Sequence, residues 1–423
     1  MKTKAVRLYG ENDLRLEEIE LPDIGNDEIL ARIVSDSICM SSYKAAKQAT
    51  KHKRVPDDIA DDPIIIGHEF CGEIVEVGSR WSDRFKSGDR FSIQPALNFE
   101  GGPVGILSAP GYSYRHIGGD AQYVIIPAEV MVQNCLLPFE GEAFYHGSLA
   151  EPMSCIVGSF HASYHTRPGS YKHEMGIVEG GAMALLAGVG PMGLGAIDYA
   201  IHCDRKPGLL VVTDIDSDRL ERAASIYTVE EARANGVELV YVNVANEEHG
   251  VEYLKSLTPD GEGFNDVFVF APVHQVVEQA DNILAFDGCL NFFAGPTDPE
   301  FSASFNFFNV HYAATHVVGT SGGNTDDMVE SLRMMEEGKL NPSTMITHVG
   351  GLDAVIETTL NLPNIPGGKK LIYNNISMPL VALHDLNDIQ GDIYRGLAEI
   401  VTAHHGLWSP QAERYLLANA TAI

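Results

Sequence analysis

A cysteine, a histidine and two glutamates in this sequence carry donor atoms that commonly bind metal ions. His68 and Glu69 lie in the glycine-flanked segment GHEFCGEIVEVG (67–78), and Cys39 lies 29 residues before His68 in DSICMSS. Glu151 lies far downstream in EPMSC. Thiolate, imidazole and carboxylate together suit Zn²⁺, and three protein ligands with an open position are typical of a catalytic zinc. Such a metal could polarise a carbonyl group or stabilise an alkoxide.

Each of these residues also has an ordinary structural interpretation. A single buried Cys39 is commonly a small apolar side chain, and His68 could be a hydrogen-bonded core histidine. Glu69 could belong to an ion pair, and Glu151 could cap the helix that follows it. Spacing along the chain does not show that the four side chains converge, so both interpretations stay open at this point.

A glycine-rich segment predicts a dinucleotide site. The segment GVGPMG fits the pattern GxGxxG, follows the apolar strand pattern ALLAG and precedes the apolar helix pattern LGAIDYAI. Its glycines allow a tight turn and a close approach of the backbone to a pyrophosphate at a helix N-terminus. The alternative is a packing turn without a ligand. The predicted cofactor contacts in this segment are Gly188, Val189, Gly190, Pro191, Met192 and Gly193.

An aspartate at the end of the next strand pattern bears on the choice of cofactor. Asp214 lies 21 residues after Gly193, where a carboxylate can accept hydrogen bonds from the adenosine ribose. A carboxylate there opposes a 2′-phosphate, so NAD(H) is favoured. Arg219, five residues further on, could lie over the adenine or tolerate a phosphate, so NADP(H) remains possible. The alternative is a solvent-facing aspartate.

Further cofactor contacts are expected after later strand patterns. Ala271 ends the pattern DVFVFA and Gly295 ends CLNFFAG. Thr320 and Ser321 open the tract TSGGNTDDM (320–328), which we expect to contact the nicotinamide side of the cofactor or a partner subunit. In the alternative interpretation, Asn324 or Thr325 of this tract simply caps the following helix.

A short basic segment is a candidate phosphate site. KHKRVPDD (51–58) is the densest basic cluster of the chain, and its Lys53 and Arg54, with Lys44 nearby, could bind a substrate phosphate. The alternative is a solvated loop whose charge is balanced by neighbouring acids, which are Asp57, Asp58, Asp61 and Asp62.

Composition restricts the possible partners and location. The 423 residues have a net charge of −29, which disfavours binding to nucleic acid and to anionic membranes. Phosphate recognition would therefore need a local basic pocket. The N-terminus lacks an apolar signal core, no apolar run approaches the roughly 20 residues of a membrane span, and the six cysteines are scattered. We therefore expect a cytoplasmic protein.

The secondary structure that the sequence predicts changes near residue 155. Before it, short alternating runs such as EILARIV (28–34) and AQYVIIP (121–127) predict a β-rich region with turns, and the Gly- and Pro-rich stretch 97–118 predicts a long loop. After it, apolar strand patterns alternate with helical patterns. This alternation predicts an α/β fold with βαβ units and a doubly wound parallel sheet.

The quoted motifs, in their order along the chain, resemble a known family. GHEFCGEIVEVG, GDRF, GGDAQYVIIP, EPMSC and GVGPMG together look like the zinc-dependent medium-chain dehydrogenases/reductases, over roughly residues 1–375. Within that family the chain looks closest to the L-sorbose-1-phosphate reductases, through stretches such as PIIIGHEFCGEI, VGTSGGNTDDM and GGKKLIY. Those enzymes interconvert L-sorbose 1-phosphate and D-glucitol 6-phosphate. Polyol dehydrogenases such as sorbitol dehydrogenase are wider neighbours.

The resemblance implies a domain organisation and an assembly. It implies a GroES-like catalytic domain over 1–158, completed by 335–423, and a Rossmann domain over 159–334, with the active site in the cleft. It also implies a homodimer or homotetramer that acts on a sugar or polyol phosphate.

Residue roles carried over from the family fall on positions already named. Cys39 and His68 match zinc ligands, Glu69 matches a glutamate that ligates zinc or lies just behind it, and Glu151 matches the glutamate ligand of polyol dehydrogenases. Ser41 matches the hydroxyl residue that passes on the substrate proton. The cofactor positions of the family fall on Gly188, Gly190, Gly193 and Asp214.

Three departures from the family pattern change what is expected. Met40 and Ser42 stand where the family usually has glycine and aspartate. Lys44 lies near a position where many members have a relay histidine, and a lysine relays protons only if its pKa is depressed. The four-cysteine lobe is absent, since no cysteine lies between 71 and 135, so we expect one zinc per chain.

Two rival functions remain open. One is the dehydrogenation of an unphosphorylated polyol or another secondary alcohol by the same fold. The other is a non-catalytic NAD-binding scaffold, which would have no need of an open metal site. The same metal-ligand candidates disfavour a zinc-free quinone reductase.

Overall fold

Alternating and apolar runs of the sequence form β-strands in both halves of the chain. The computed structural model describes residues 1–167, 169–247 and 249–423. The strands are β1 Lys2–Gly10, β2 Asp13–Glu20, β3 Ile29–Ile38, β4 Ile64–Ile65, β5 Phe70–Val77, β6 Arg90–Ile93, β7 Tyr123–Ile126, β8 Leu136–Pro138, β9 Tyr164–Thr166, β10 His173–Met175, β11 Ala182–Leu186, β12 Leu209–Asp214, β13 Glu238–Asn243, β14 Phe264–Val269, β15 Leu284–Phe292, β16 His316–Val318, β17 Ile346–Gly351, β18 Lys369–Tyr373 and β19 Val381–Ala382.

Helices follow most of the later strands, as the alternating patterns predict. They are α1 Met40–Gln48, α2 Ala128–Val132, α3 Phe144–Ser148, α4 Ala150–Ala162, α5 Pro191–His202, α6 Ser217–Ile226, α7 Val229–Ala234, α8 Gly250–Ser256, α9 His274–Asn282, α10 Phe307–Tyr312, α11 Thr325–Glu336, α12 Val355–Asn361, α13 Asp392–Ala403 and α14 Pro410–Asn419. None of the helices described in residues 1–167, 169–247 and 249–423 is both long enough and apolar enough to span a bilayer.

The density of contacts divides the chain into two units. Unit 1 contains Met1–Glu151, Asn324–Glu337 and Pro342–Ile423, and unit 2 contains Pro152–Gly323 and Gly338–Asn341. Units defined by packing need not share the boundaries of domains defined by ancestry. The predicted domain boundaries at 158 and 334 therefore stay predictions.

Antiparallel pairing in unit 1 brings three distant segments to one edge. The larger sheet has the order β19-β17-β18-β3-β5-β6-β8, and β7 also pairs with β3. In this sheet Ile38 at the end of β3 pairs with Lys370, and Asp36 pairs with Phe70 at the start of β5. The chain segments at Cys39, His68 and Lys369 must therefore lie near one another.

Unit 2 contains the predicted parallel sheet. Among its described residues, six parallel strands have the order β13-β12-β11-β14-β15-β16. Every residue of β11 and β12 is buried, and all of β11 and the first four residues of β12 are apolar, as expected for a sheet covered on both faces. The strand order reverses direction at β11, and ligands of such sheets bind at the carboxyl ends of the strands at this point. The predicted fold class is confirmed.

The C-terminal tail, residues 379–423, is part of unit 1 and packs against its other elements. Trp408 and Leu416 lie in the same apolar cluster as Tyr373 of β18. The buried carboxylate of Glu413 accepts hydrogen bonds from the Phe144 amide at 2.7 Å and from the Tyr373 hydroxyl at 2.9 Å. The tail therefore braces both the strand that begins at Lys369 and the short helix before Glu151.

Candidate active site

Three of the predicted metal ligands lie together in unit 1. The ligand atoms of Cys39, His68 and Glu69 all lie within 4.8 Å of one another. His68 and Glu69 are buried, with 4% and 1% of their surface exposed. Cys39 precedes α1 at the end of β3, while His68 and Glu69 precede β5, so the pairing of β3 with β5 brings the three together.

A glycine turn sets the position of the two ligand candidates before β5. Gly67 has φ +91°, and a Cβ atom there would lie 2.7 Å from the Asp120 amide nitrogen and 2.9 Å from Asp36 Oδ2. Asp36 Oδ1 in turn accepts a hydrogen bond from the Glu69 amide at 3.1 Å. Any side chain at position 67 would displace this packing, so the glycine of the GHE motif is required sterically.

We expect Gly67→Ala to destabilise the protein by at least about 3 kcal/mol, because it adds a steric clash to an unfavourable φ. Gly88→Ala is a matched control, since Gly88 has φ +88° but open space around its Cα. The control should cost about 1 kcal/mol through φ alone. Thermal unfolding of both variants is the measurement, and equal midpoints would contradict the role given to packing at Gly67.

Hydrogen bonds orient the imidazole of His68. Its Nδ1 lies 3.3 Å from Ser42 Oγ, and its Nε2 lies 3.2 Å from both Ser41 Oγ and Tyr112 Oη. Burial lowers the pKa of His68, although the carboxylates of Glu151 and Glu69 oppose this, so the neutral form is favoured. If Nδ1–H donates to Ser42, the Nε2 lone pair is available to a metal. Ser42, which stands where the family pattern usually has aspartate, lies within hydrogen-bond distance of this ring nitrogen.

A buried lysine pairs with Glu69. Lys369 Nζ donates to the two carboxylate oxygens of Glu69 at 2.5 and 2.7 Å. Burial alone would lower the pKa of Lys369, but Glu69, Cys39 and Glu151 together raise it above its ordinary value. The sequence analysis missed this residue, although two lysines inside the strand pattern GGKKLIY were an available signal.

Glu151 is not one of the three residues whose ligand atoms lie within 4.8 Å, but it interacts electrostatically with them. Burial and the neighbouring Glu69 raise the pKa of Glu151 to about 7, while His68 lowers it. Glu151 also interacts electrostatically with Cys39 and Lys369. Its carboxyl group stands in the first turn of α4, so the four ligand candidates share one electrostatic environment.

The basic segment lies beside this group, across the ring of Tyr112. The His52 ring stacks on Tyr112 with centroids 5.7 Å apart and planes 9° apart, and the His68 and Tyr112 centroids are 4.7 Å apart. Burial, then the charges of Arg54, Lys53 and Lys44, lower the pKa of His52 to about 4. All three predicted phosphate-binding cations therefore act electrostatically on the His52 ring. Tyr112 itself was missed, because it lies in the aperiodic stretch 97–118.

The glycine loop of unit 2 follows β11 and opens α5. Gly190 caps the helix and Pro191 occupies its first turn. A Cβ atom on Gly193 would lie 2.2 Å from the Gly188 carbonyl oxygen, so glycine is needed for this close approach. Val189 and Met192 are the remaining loop residues.

Asp214 ends β12, the neighbouring strand. It is buried, and its Oδ1 accepts hydrogen bonds from the amides of Ile215 and Asp216 at 2.9 and 3.2 Å. Arg219 approaches the glycine loop, because a Cβ atom on Gly190 would lie 3.5 Å from its Nη2. The Gly188 amide donates to the carbonyl oxygen of Thr213, the residue before Asp214, at 2.9 Å. Both predicted adenosine contacts therefore lie near the loop.

The other predicted cofactor residues lie beyond the carboxyl ends of the next strands. Ala271 follows β14, Gly295 follows β15, and Thr320 and Ser321 follow β16. Thr320 Oγ1 is buried and, within the described part of the chain, has no hydrogen-bond partner. Asn324 caps α11, with reciprocal bonds to Asp327 at 2.9 and 2.8 Å, so the capping interpretation also holds for this tract.

Comparison with known proteins assigns the family. Residues 25–137 match the alcohol dehydrogenase GroES-like domain, and residues 191–337 match the zinc-binding dehydrogenase domain. The chain is 54% identical to mannitol-1-phosphate 5-dehydrogenase of Aliivibrio fischeri, over 98% of this chain and 97% of that protein. It is 50% identical to L-sorbose 1-phosphate reductase of Klebsiella pneumoniae, over 100% and 98% of the two chains. The chain belongs to the zinc-dependent alcohol dehydrogenase family.

Solved structures of dehydrogenases have a fold similar to that of this chain. The 2R,3R-butanediol dehydrogenase of Bacillus subtilis is 22% identical and has a TM-score of 0.66, over 88% of this chain and 100% of that one. The resemblance noted in the motifs is confirmed, and so are the class of enzyme and its dependence on zinc and a nicotinamide cofactor. The roles of individual residues in this zinc-dependent dehydrogenase stay predictions.

Proposed function

We propose that this dehydrogenase interconverts a ketose phosphate and a polyol phosphate by hydride transfer, with L-sorbose 1-phosphate and D-glucitol 6-phosphate as the substrate pair. One observation carries the proposal: the metal-ligand group of Cys39, His68 and Glu69 and the cations around His52 adjoin the same ring, that of Tyr112. The names of the two relatives that are half identical support it, since both act on sugar or polyol phosphates.

The donor set fits a single catalytic zinc. Within the described residues, Cys39, His68 and Glu69 form the one group of three or more such side chains close enough to hold a metal ion. A thiolate, an imidazole and a carboxylate suit Zn²⁺, with Glu151 as a further ligand candidate. The zinc supplies a Lewis acid that polarises the substrate carbonyl group.

The protein's own groups then supply orientation and protons. The Ser41 hydroxyl lies 3.1 Å from Cys39 Sγ and 3.2 Å from His68 Nε2, so it can pass a proton to or from a substrate oxygen beside the ligand atoms. In the reduction, a bound nicotinamide cofactor would supply the hydride at the carbonyl carbon, and the Ser41 hydroxyl would supply this proton at the oxygen. Oxidation is the reverse. Lys44 serves in this scheme as a fixed cation for the phosphate.

Local charge explains how an acidic protein binds a phosphorylated sugar. With a net charge of −29, the chain as a whole repels a phosphate, and only a cluster of cations offsets this. Lys44, Lys53 and Arg54 supply that cluster in our proposal. Arg54 is held in place, because its Nη1 donates to the Leu107 carbonyl oxygen at 2.9 Å.

The cofactor preference and the assembly complete the proposal. Asp214 favours NAD(H), and Arg219 leaves NADP(H) possible.

The family resemblance supports a homodimer or homotetramer in the cytoplasm, and exposed aromatic side chains on α10 of unit 2 favour self-association. Light scattering tests the assembly. The exposed aromatic residues are Phe307, Phe308 and Tyr312.

Initial rates with two sugars test the substrate class. We expect the protein to oxidise NADH or NADPH rapidly with L-sorbose 1-phosphate and slowly with L-sorbose, and chelation should abolish both activities.

Charge reversal in Lys53→Glu and Arg54→Glu should raise the KM for the phosphorylated sugar about tenfold each, because each removes a cation from the phosphate. Lys51→Glu is the matched control, since Lys51 is exposed in the same segment and is not among the charges that act on His52.

Other outcomes separate the rivals. Equal turnover of both sugars would keep the zinc chemistry and remove the phosphate, in favour of a polyol dehydrogenase. Mannitol 1-phosphate belongs in the same panel, because a relative is named for its oxidation at carbon 5. A protein that binds NAD but turns over none of these compounds would support the scaffold alternative.

A further inference from the structure

Two residues that the proposed function gives no contact with the substrate join the metal-ligand group to the basic segment. We propose that Tyr112 and His52 form one substrate-recognition element, in which the Tyr112 hydroxyl contacts the reacting oxygen of the substrate and His52 Nε2–H binds its phosphate. The inference rests on the proposed function, because it names the groups that hold the substrate in that site.

The Tyr112 hydroxyl lies beside the His68 nitrogen that a metal would bind. Tyr112 is 4% exposed, and its hydroxyl lies 3.2 Å from His68 Nε2, the ring nitrogen on the side of Cys39 and Ser41. Nε2 has one lone pair, which a metal takes when it binds. The tyrosine hydroxyl then loses its partner on His68, and an oxygen atom bound beside the ligand atoms can replace it. The hydroxyl keeps its interaction with Ser41, but it is buried, so a second partner in place of His68 stabilises it.

The imidazole of His52 has a defined tautomer. Its Nδ1 accepts a hydrogen bond from the Arg54 amide at 3.3 Å, so the ring proton is on Nε2. Among the described residues, this Nε2–H has no hydrogen-bond partner, although the ring is half-buried and fixed by its stacking on Tyr112. A fixed donor without a protein acceptor is suited to an external anion.

The charges around His52 select that anion. Arg54, Lys53 and Lys44 all act on the ring, and the Arg54 guanidinium lies 5.9 Å from the centre of the Tyr112 ring. A phosphate there would meet one neutral N–H donor and three cations. The Glu69 carboxylate belongs to the metal-ligand group, so a phosphate is better placed at the cations than among the ligand atoms.

Tyr112→Phe tests the hydroxyl without changing the ring that holds His52. We expect kcat to fall about 10- to 100-fold for both L-sorbose 1-phosphate and any free polyol that reacts, with unchanged zinc content, because a donor to the reacting oxygen is lost. Tyr43→Phe is the control, since Tyr43 lies on α1 and its hydroxyl contacts Lys47 instead. A wild-type kcat in Tyr112→Phe would overturn the role of the hydroxyl.

His52→Ala tests the phosphate contact. The KM for the phosphorylated sugar should rise about tenfold and much more than that for a free polyol, and His52→Gln, which keeps an N–H donor, should recover part of the loss. Calorimetry with inorganic phosphate on the chelated protein gives a readout that needs no turnover. Here His52→Ala should weaken binding and Tyr112→Phe should not. Phosphate binding that is equal in wild type and His52→Ala would overturn the inference even if no sugar is turned over, so its failure is distinct from that of the proposed function.

Discussion

His68→Ala should lose its metal and its activity together. His68 contributes one of three ligand atoms within 4.8 Å, and it is 4% exposed, so no solvent-exposed group can readily take its place. A site without the imidazole binds zinc weakly, and the carbonyl group is then no longer polarised. We expect turnover to fall by a factor on the order of 10³ or more, since a bound metal supplies several kcal/mol of stabilisation to the transition state. Zinc per chain and initial rates, measured on the same preparation, test this.

A second buried histidine separates loss of the metal from general damage. His165 is also buried, and it bonds Asp266 in unit 2 rather than any ligand candidate. His165→Ala should therefore retain its zinc even if its unfolding midpoint falls. A His68→Ala protein with full activity and no metal would refute the metal mechanism, and equal zinc loss in both variants would show that the effect is indirect.

The parts of the fold that the sequence predicts are those that local patterns determine. Apolar runs such as LLVV (209–212), followed by helical spacing, predicted the parallel sheet, because a strand buried on both faces is apolar over most of its length. The glycine loop was predictable because close backbone approach at Gly193 admits no side chain. Both features depend on fewer than about thirty consecutive residues.

The composition of the site was less predictable, because it depends on strand register. Lys369 reaches Glu69 across 300 residues of chain, through the pairing of β18 with β3 and of β3 with β5. A slip of one residue in either pairing would turn the lysine to the other face. Tyr112 gave no signal for a different reason: its loop has no periodicity, and its position follows from packing alone.

Lys369→Met should destabilise the metal-free protein strongly and the zinc-loaded protein less. The Lys369–Glu69 pair is almost fully buried, and Cys39 and Glu151 also act on the lysine. Removing one partner of a buried ion pair typically costs about 3–5 kcal/mol, because the other charge is left without compensation. A bound zinc ion brings two positive charges to the same acids, so it should restore part of this loss.

Lys370→Met is the matched control, because the next residue of a strand faces the opposite side. Lys370 is also buried, but its Nζ donates to the carbonyl oxygens of Pro366 and Gly368 at 3.0 and 2.7 Å rather than to a carboxylate. Its replacement should therefore lower the unfolding midpoint by the same amount with and without chelator. In Lys369→Met, the unfolding midpoint should fall by more in the presence of chelator than in the presence of zinc. If the unfolding midpoint of Lys369→Met fell by the same amount with and without zinc, the lysine would be a structural partner of Glu69 only, and the metal could not replace its positive charge.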